Sequence, residues 1–541
     1  MEKLSRFAKS ITEKRTSVVV WTSVFLCIIF LRTFTEQFLA KTASIAPYEA
    51  VLEFIHNLLF FSITFLLLWL MLSFVLRVNP RKLSVLFLAA SFVVLLPPLI
   101  DMVKTGGETF WSFYILSSAA DLKLQFLTLF GNLPSGIMYF GTRITFFSAI
   151  FLLAVFVYLV TKSTLKTVFT AILAYLTFFF MGSFPMLFTF CYLFLAKKMP
   201  ISSIQGFDAV QLFGTTEKIW GIDFRSLRFS FVYKLDFIFY LLLIFLLVVL
   251  FWLIDKKKVI ETAKNSRYPQ LIYHAGLFFM GIGLGIFYYP QNIALGLFPI
   301  LAILVLLTSV WLSWLSSVVI NDIHDKKTDN ITNMSRPLPC SIFSEEEYLH
   351  LGIVYLALSL LGGLIVGFDF FFLLLAYNIL AWFYSAPPMR LKRYIGVASF
   401  ASALASLMIF FLGFILMASG QDIHSISIKI IALLVVSYTL SIPVKDLKDI
   451  EGDKEDGVYT IPVVFGEKKG RMIIGASVFV SYVLSVFLLN ERSLFWWAVL
   501  FGGASYLILQ KKDIEPKNLP WCVLPLSAAY GLILVLIVFV K

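Results

Sequence analysis

Long, uninterrupted runs of apolar residues recur along this sequence, and they decide which solvent most of the chain can occupy. A helix that crosses a bilayer needs about 20 such residues, and the sequence offers that length repeatedly between short charged clusters. Of the 541 residues, 60% are hydrophobic and only 14% are charged. A soluble fold of this size could not bury so much apolar surface. The sequence therefore predicts an all-α, polytopic membrane protein.

The apolar runs form two groups, separated by a polar and strongly charged segment at residues 255–268. Six runs precede this segment and nine follow it, so we expect two modules: residues 1–260, of unassigned function, and residues 265–541. Pro185 lies inside the fifth run and predicts a tilt or kink there. The runs lie near residues 17–33, 55–78, 83–100, 144–161, 166–196, 237–254, 271–288, 294–320, 348–367, 369–384, 395–418, 427–445, 472–489, 495–510 and 521–540.

Basic residues at the ends of the runs predict the orientation of the chain. The N-terminal segment carries Lys3, Lys9 and Arg15, and most other short basic clusters fall in the connections that return to the same side. By the positive-inside rule this side is cytoplasmic, and we expect the cytoplasmic membrane of a prokaryote. The net charge of +12 then favours anionic lipid headgroups over nucleic acid as partners. The oligomeric state stays open.

The first of two acidic clusters follows the eighth run directly. Asn321, Asp325 and Asp329 are spaced i, i+4 and i+8, and Asp322 precedes Asp325 by three residues. On a helix these side chains share one broad face.

The second acidic cluster follows the twelfth run, where Asp446, Asp449 and Asp453 are spaced i, i+3 and i+7. Like charges stacked in this way repel one another, so they call for a compensating cation. Carboxylate and amide oxygens without histidine or cysteine ligands suit Mg²⁺, which usually shares its coordination shell with substrate phosphates. Both clusters end runs that exit on the same side, and we expect them to face one cavity mouth. Solvated loop charges are the alternative interpretation.

Two further segments on that side carry cations. Tyr384 opens the first, in which a Pro-Pro pair ends the helix and Arg390 and Lys392 follow. Arg336 lies in the second, a Ser-Arg-Pro-Leu-Pro stretch. These cations could neutralise a diphosphate, although ordinary anchoring at the membrane surface would explain them as well.

These motifs resemble those of the UbiA superfamily of intramembrane prenyltransferases. The first cluster matches the NDxxDxxxD motif, and Arg336 begins the RPLP sequence that often follows it. Asp449 and Asp453 match the DxxxD motif, and the segment that begins at Tyr384 resembles YSxPPxRLK. The nine predicted spans agree with the family's nine-helix bundle. The resemblance covers about residues 265–541, and the six earlier spans resemble no family in this way.

The resemblance implies Mg²⁺-dependent transfer of a prenyl group from a prenyl diphosphate to a small or lipophilic acceptor, with release of diphosphate. A quinone-precursor aromatic, a tetrapyrrole and a glycerol ether are all open as acceptors. A membrane transporter and a non-catalytic scaffold that binds prenyl lipids are the alternatives to catalysis. The implied catalytic residues are Asp325, Asp449, Lys392 and Tyr384; the implied diphosphate ligands are Asn321, Arg336, Arg390, Lys392 and Lys445; and the implied metal ligands are Asn321, Asp322, Asp325, Asp329, Asp446, Asp449 and Asp453.

Three glycines lie in the seventh run, at Gly281, Gly283 and Gly285. They stand inside an apolar stretch rather than after a strand, so they do not form a phosphate-binding loop. Small residues at this spacing predict close packing between membrane helices.

Overall fold

The computed structural model describes residues 16–39, 47–105, 115–131, 140–222, 227–418 and 425–539, together with a few single positions before residue 16. The basic residues Lys3, Lys9 and Arg15 lie outside the described residues. Within these ranges all regular elements are helical apart from two isolated β-bridges. The same ranges contain 15 segments long and apolar enough to span a membrane. Six lie before the charged segment at 255–268 and nine after it, so the predicted all-α, multi-span architecture is confirmed.

We number the α-helices in chain order. The helices before the charged segment are α1 (Val18–Leu39), α2 (Pro47–Leu76), α3 (Ser84–Ala90), α4 (Leu96–Thr105), α5 (Ala119–Leu127), α6 (Phe140–Thr161), α7 (Thr164–Gly182), α8 (Phe184–Lys197), α9 (Gly206–Gly214) and α10 (Leu227–Ile254). The later helices are α11 (Lys256–Lys264), α12 (Tyr268–Tyr288), α13 (Leu297–His324), α14 (Lys326–Thr332), α15 (Glu345–Val366), α16 (Phe368–Ser385), α17 (Val397–Ala418), α18 (Ile428–Ser441), α19 (Ile450–Glu455), α20 (Ile461–Phe465), α21 (Glu467–Leu489), α22 (Phe495–Gln510) and α23 (Leu519–Phe539).

The chain packs as two compact units. The first comprises residues 1–217 and 224–259, and the second comprises residues 218–223 and 260–541. The short piece at 218–223 belongs to the second unit because the Trp220 indole N–H donates to the carbonyl of Pro299 at 2.9 Å. The predicted module bounds, 1–260 and 265–541, stay a prediction.

In the first unit, α2 packs against α1, α7 and α10. The third span is irregular, since it alternates short α-helices with 3₁₀ turns between Pro80 and Lys104. Two indole N–H groups satisfy carbonyls along its start: Trp69 donates to Pro80 at 2.8 Å, and Trp21 donates to Ser84 at 3.0 Å. Irregular backbone in a membrane needs such partners, because lipid offers none.

The fifth apolar run is broken into two helices, α7 and α8, which meet at Ser183. Pro185 occupies the first turn of α8, where its missing N–H is tolerated and its ring does not clash with an earlier turn. The run therefore breaks just before this proline, and the predicted tilt or kink stays a prediction.

Among the described residues of the second unit, nine helices are long and apolar enough to span a membrane. In the order α12, α13, α15, α16, α17, α18, α21, α22 and α23, each helix packs on the next, and α23 returns to α12. Helix α12 also packs closely along α17. The loops at one end of this ring carry the acidic clusters.

Glycines allow α12 and α17 to touch backbone to backbone. A Cβ atom at Gly281 would lie 2.0 Å from the carbonyl oxygen of Phe410, and one at Gly285 would lie 2.5 Å from the Cβ of Met417. A Cβ at Gly283 would have no other atom within 4 Å. The predicted close packing is confirmed for Gly281 and Gly285, whereas Gly283 faces away from this contact.

We predict that Gly281→Ala destabilises the protein by about 2 kcal/mol or more, since the added methyl group must push α17 away. Gly283→Ala is the matched control and should be neutral or slightly stabilising, because alanine favours a helix over glycine by roughly 1 kcal/mol. Thermal unfolding of the two purified variants in detergent measures the difference. Equal melting temperatures would contradict the close approach.

Candidate functional site

The first acidic cluster straddles the junction between α13 and α14. Asp325 is the residue at which the two helices meet. Hydrogen bonding nevertheless continues across the junction, because the Asp325 N–H donates to the Asn321 carbonyl at 2.9 Å and the Asp329 N–H donates to the Asp325 carbonyl at 2.8 Å. The predicted i, i+4, i+8 relation therefore persists, although two helices replace the single predicted one.

Hydrogen-bond donors enclose the carboxylate of Asp322. Its side chain is only 1% exposed, and four donors surround its two oxygens. Arg267 and Arg336 donate to Oδ1 at 2.5 and 3.4 Å. Asn265 and Tyr348 donate to Oδ2 at 2.7 and 3.0 Å. With both oxygens occupied, Asp322 anchors the start of α12 and the loop after α14 to the end of α13, and its role as a metal ligand stays a prediction.

The spacing of the second acidic cluster predicted one continuous helix, but the chain does not form one there. Pro443 cannot continue α18, and the chain tightens into a 3₁₀ turn at Ile442–Lys448 that contains Asp446. Asp449 then caps α19, and the Asp453 N–H donates to the Asp449 carbonyl at 2.9 Å. Because residues three apart eclipse in a 3₁₀ turn, Asp446 and Asp449 still lie on the same side.

The segment after α16 turns sharply and carries cations to both clusters. Its Pro387–Pro388 peptide bond is cis, and Arg390 follows in the left-handed region at φ 42°. The Lys392 ammonium contacts the Asp325 carboxylate. Arg390 donates to Asp325 Oδ1 at 3.4 Å and contacts the carboxylate of Asp456. This segment therefore links the first cluster to the residues just after the second.

Other contacts join the three segments at one end of the second unit. Helix α14 packs on α19. Arg336 donates to both oxygens of Asp329 at 2.5 Å, and it lies in the field of Asp449. The structure thus brings the two acidic clusters and the predicted cations together on the same side.

Tyr384, Asn321 and Lys445 complete the set of predicted site residues. The Lys445 ammonium donates to the Tyr384 hydroxyl at 2.9 Å and lies 4.8 Å from the centroid of its ring. The neighbouring Ser385 hydroxyl donates to Asn321 Oδ1 at 3.2 Å. The end of α16 therefore touches the segments that carry both acidic clusters.

Negative charge is less well compensated in the second cluster than in the first. Burial, followed by repulsion from Asp446 and Asp449, raises the pKa of Asp453 to about 7. Lys448 lies 3.7 Å from Asp449, but Asp446 and Asp453 make no side-chain hydrogen bond or ion pair within the described part of the chain. Burial also lowers the pKa of Lys392 to about 8. The arrangement can therefore accept further positive charge.

The donor atoms of the site suit a hard cation. Asn321, Asp325, Asp449 and Asp453 offer amide and carboxylate oxygens, the ligands that Mg²⁺ prefers. Across the residues that the structure describes, no three acidic, histidine or cysteine side chains already have the spacing of a metal centre. The acids of the first cluster instead face arginine and lysine, so a bound ion would draw Asp325 away from Lys392.

Four residues of this network escaped the sequence analysis. Asp456, the partner of Arg390, continues the spacing of the second cluster at i+7 from Asp449, and that signal could have identified it. Arg267 could be assigned only to membrane anchoring, and nothing in the sequence pairs Asn265 or Tyr348 with Asp322.

Comparisons with known proteins concern the second unit. Residues 292–523 match the UbiA prenyltransferase family. Chlorophyll synthase of Avena sativa is 31% identical over 199 residues, which cover 34% of this chain and 50% of that protein. Digeranylgeranylglyceryl phosphate synthase of Sulfolobus acidocaldarius is 33% identical over 168 residues, which cover 30% of this chain and 58% of that protein. The chain thus spans about half the length of these curated relatives.

Among solved structures, a UbiA homologue from Archaeoglobus fulgidus bound to GPP and Mg²⁺ is 22% identical, with a TM-score of 0.40 over 51% of this chain and 99% of that chain. A digeranylgeranylglyceryl phosphate synthase is 20% identical, with a TM-score of 0.36 over 52% of this chain and 100% of that chain. The sequence match at residues 292–523, which contains every predicted site residue, identifies this part of the chain as a UbiA prenyltransferase family domain.

Proposed function

We propose that the second unit transfers a prenyl group from a prenyl diphosphate to a lipophilic acceptor and releases diphosphate. The convergence of two acidic clusters and of Arg390 and Lys392 at one end of a membrane bundle carries this proposal. A metal ion would neutralise the acidic side chains and a diphosphate would neutralise the basic ones. Together these groups therefore fit a metal–diphosphate pair. We also propose that this end faces the cytoplasm, as the basic loops predict.

The family match supports the same reaction class, and it leaves the acceptor open. The relatives bear two kinds of name, chlorophyll synthase and digeranylgeranylglyceryl phosphate synthase. A tetrapyrrole and a glyceryl phosphate are therefore both candidate acceptors for this chain, alongside an aromatic quinone precursor.

Asp325 and Asp449 are the central metal ligands of the proposal, one from each cluster. Asn321, Asp329 and Asp453 complete the set that the resemblance implies, and Asp446 adds negative charge beside it. A bound Mg²⁺ would neutralise the diphosphate and draw electron density from its leaving oxygen. We assign Asp322 to positioning, because its four donors already fix it.

Arg390 and Lys392 would hold the diphosphate and stabilise its departure. Both side chains now contact Asp325, so they are placed where the anion would enter once that carboxylate turns to the metal. The allylic C–O bond breaks and its electron pair leaves with the diphosphate, where a guanidinium and an ammonium group meet the developing charge. The acceptor then bonds to the prenyl carbon and loses a proton.

Tyr384 and Lys445 would border the reacting end of the prenyl chain. Their contact of 2.9 Å fixes both side chains, which leaves the ammonium beside the diphosphate and the aromatic ring beside the carbon that loses it. Apolar walls of the bundle would exclude water, which otherwise captures a prenyl cation.

We predict that Asp449→Asn lowers prenyl transfer roughly 100-fold, the order of effect expected when one charge-stabilising group is lost. Glu451→Gln is the matched control, because Glu451 lies on the same short helix, is exposed and carries the same charge. Product formation from GPP and longer prenyl diphosphates, with and without Mg²⁺, measures the effect in reconstituted protein.

Wild-type activity in Asp449→Asn, or transfer that ignores removal of Mg²⁺, would contradict this reaction. Flux of a prenyl diphosphate without a covalent product would instead indicate a transporter. Metal-dependent binding without turnover would indicate a scaffold.

We predict that Lys392→Met weakens metal-dependent binding of GPP about tenfold, the order expected for loss of one charge-assisted contact. Arg393→Met removes an exposed neighbouring charge and should change binding by less than about twofold. Binding of radiolabelled GPP to the reconstituted protein separates the two variants. If the two variants lose GPP binding equally, the total positive charge of the loop, and not the position of Lys392, determines that binding.

We predict that Asp322→Asn destabilises the protein by about 3–5 kcal/mol, since it leaves Arg267 without its buried anion and removes one of the two carboxylates that Arg336 contacts. Glu345→Gln breaks an exposed pair with Lys326 at 3.3 Å and should cost less than about 1 kcal/mol. Thermal unfolding measures both effects. Because we assign Asp322 to positioning, the Mg²⁺ concentration that half-saturates folded protein should shift for Asp449→Asn and not for Asp322→Asn.

A further inference from the structure

Two adjoining cavities mark the surface of the first unit where α2 and α7 pack side by side. One, of about 490 Å³, is apolar and includes Leu67 and Leu173 among its walls. The other, of about 570 Å³, includes Arg77 and Lys166. Phe74 and Phe169 line both cavities, so the two adjoin at these side chains. We call the two adjoining cavities together the α2–α7 groove.

The antiparallel arrangement of the two helices gives the groove one apolar end and one basic end. Helix α2 ends at Leu76 and α7 begins at Thr164, so the helices are antiparallel and these ends meet on the same side. From Leu67 to Arg77 the groove follows ten residues of helix, or about 15 Å at about 1.5 Å per residue. This length is about half of a bilayer's hydrocarbon thickness of roughly 30 Å, which is the depth of one leaflet.

Charge at the basic end is uncompensated. Arg77 and Lys166 form no ion pair with the residues that the structure describes, and no acidic side chain lines either cavity. Asn79, which also lines the basic end, is already committed, because its amide donates to the carbonyls of Leu253 and Ile254 at 3.3 and 3.1 Å. The two cations are therefore the groups available to a ligand.

At the basic end of the groove, an arginine occupies a backbone conformation that favours glycine. Arg77 terminates α2 in the left-handed region at φ 54°, and its N–H donates to the Phe74 carbonyl at 3.2 Å. Glycine adopts this conformation without the steric cost that a side chain incurs. A long basic side chain at this position projects its charge from a fixed point at the end of the groove.

We propose that the α2–α7 groove binds one anionic membrane phospholipid, with its phosphate at Arg77 and Lys166 and an acyl chain along the apolar wall. Charge complementarity selects the headgroup, and the one-leaflet length fits the chain. Phe74 is 74% exposed on this surface, so the groove opens sideways to lipid. The phospholipids of the bilayer are the amphiphiles that surround such an opening in greatest number, and mass action favours them.

The proposal concerns the first unit alone, and it does not depend on prenyl transfer by the second. The test uses the full chain, purified in detergent and incubated with mixed micelles of phosphatidylglycerol and phosphatidylcholine, with native mass spectrometry of the retained lipid. Wild-type protein should retain one phosphatidylglycerol in preference to phosphatidylcholine. Arg77→Gln combined with Lys166→Gln should weaken that retention on the order of 30-fold, as expected for the loss of two basic residues at an anionic lipid.

Arg81→Gln combined with Lys82→Gln is the matched control. Both residues are exposed in the 3₁₀ turn that follows Arg77, neither lines the groove, and their removal subtracts the same charge. Retention in this control should stay within about twofold of wild type. Melting temperatures of both double variants establish that each is folded, and Leu173→Trp, which fills the apolar part without changing charge, should also lower retention.

Four outcomes would overturn the proposal. Equal retention of the two phospholipids would remove the role of charge, and equal losses in the two double variants would remove the role of the groove. Displacement of phosphatidylglycerol by an equal concentration of GPP would assign the groove to a prenyl phosphate. Displacement by inorganic phosphate alone would show that the apolar wall contributes nothing.

Discussion

Charges brought close to a low-dielectric bundle must find partners, and this requirement shapes the functional end of the second unit. Asp322 illustrates it, since a carboxylate buried at the end of α13 survives there only with two guanidinium groups and two neutral donors around it. The pairing also joins parts of the chain that are distant in sequence. Arg267 comes from the start of α12 and Arg336 from the loop after α14, so one anion fixes the frame from which Asp325 and Asp329 project.

The same requirement separates the two acidic clusters by function. The first cluster is held by its own cations, because Arg336 covers Asp329 and Lys392 covers Asp325. In the second cluster, burial and then repulsion from Asp446 and Asp449 raise the pKa of Asp453 to about 7. On the proposed function, a metal with its diphosphate would resolve both situations at once, since the metal would meet the carboxylates while the basic side chains would meet the anion. Such an exchange of partners would require a site that binds two charged species together.

Much of this arrangement could be predicted from the sequence, because lipid leaves a chain few choices. Runs of about 20 apolar residues must be helices, and the number of runs between the two acidic clusters predicts that both lie on the same side. The 3₁₀ turn at Ile442–Lys448 and the junction at Asp325 were not predicted, since spacing alone cannot separate one helix from two short ones that preserve it. Tyr348 was missed for a different reason. Its role depends on a partner in another part of the chain, Asp322, that no local pattern identifies. Asp456 continues the spacing of the second cluster, but its pairing with Arg390 depends on the fold.

In both units, weakly compensated charge lies beside an apolar surface, and we interpret this charge as the mark of a ligand site. In the second unit it is negative and lies at Asp446 and Asp453, within the stretch that matches the UbiA prenyltransferase family. In the first unit it is positive and lies at Arg77 and Lys166. Neither signal is visible in the net charge of +12, because most basic residues at helix ends are explained by topology. Arg77 and Lys166 differ from those residues because they lie at the end of a groove one leaflet deep. A cation in this position gains more from one anionic lipid that the groove holds in place than from the mobile headgroups that contact any surface lysine.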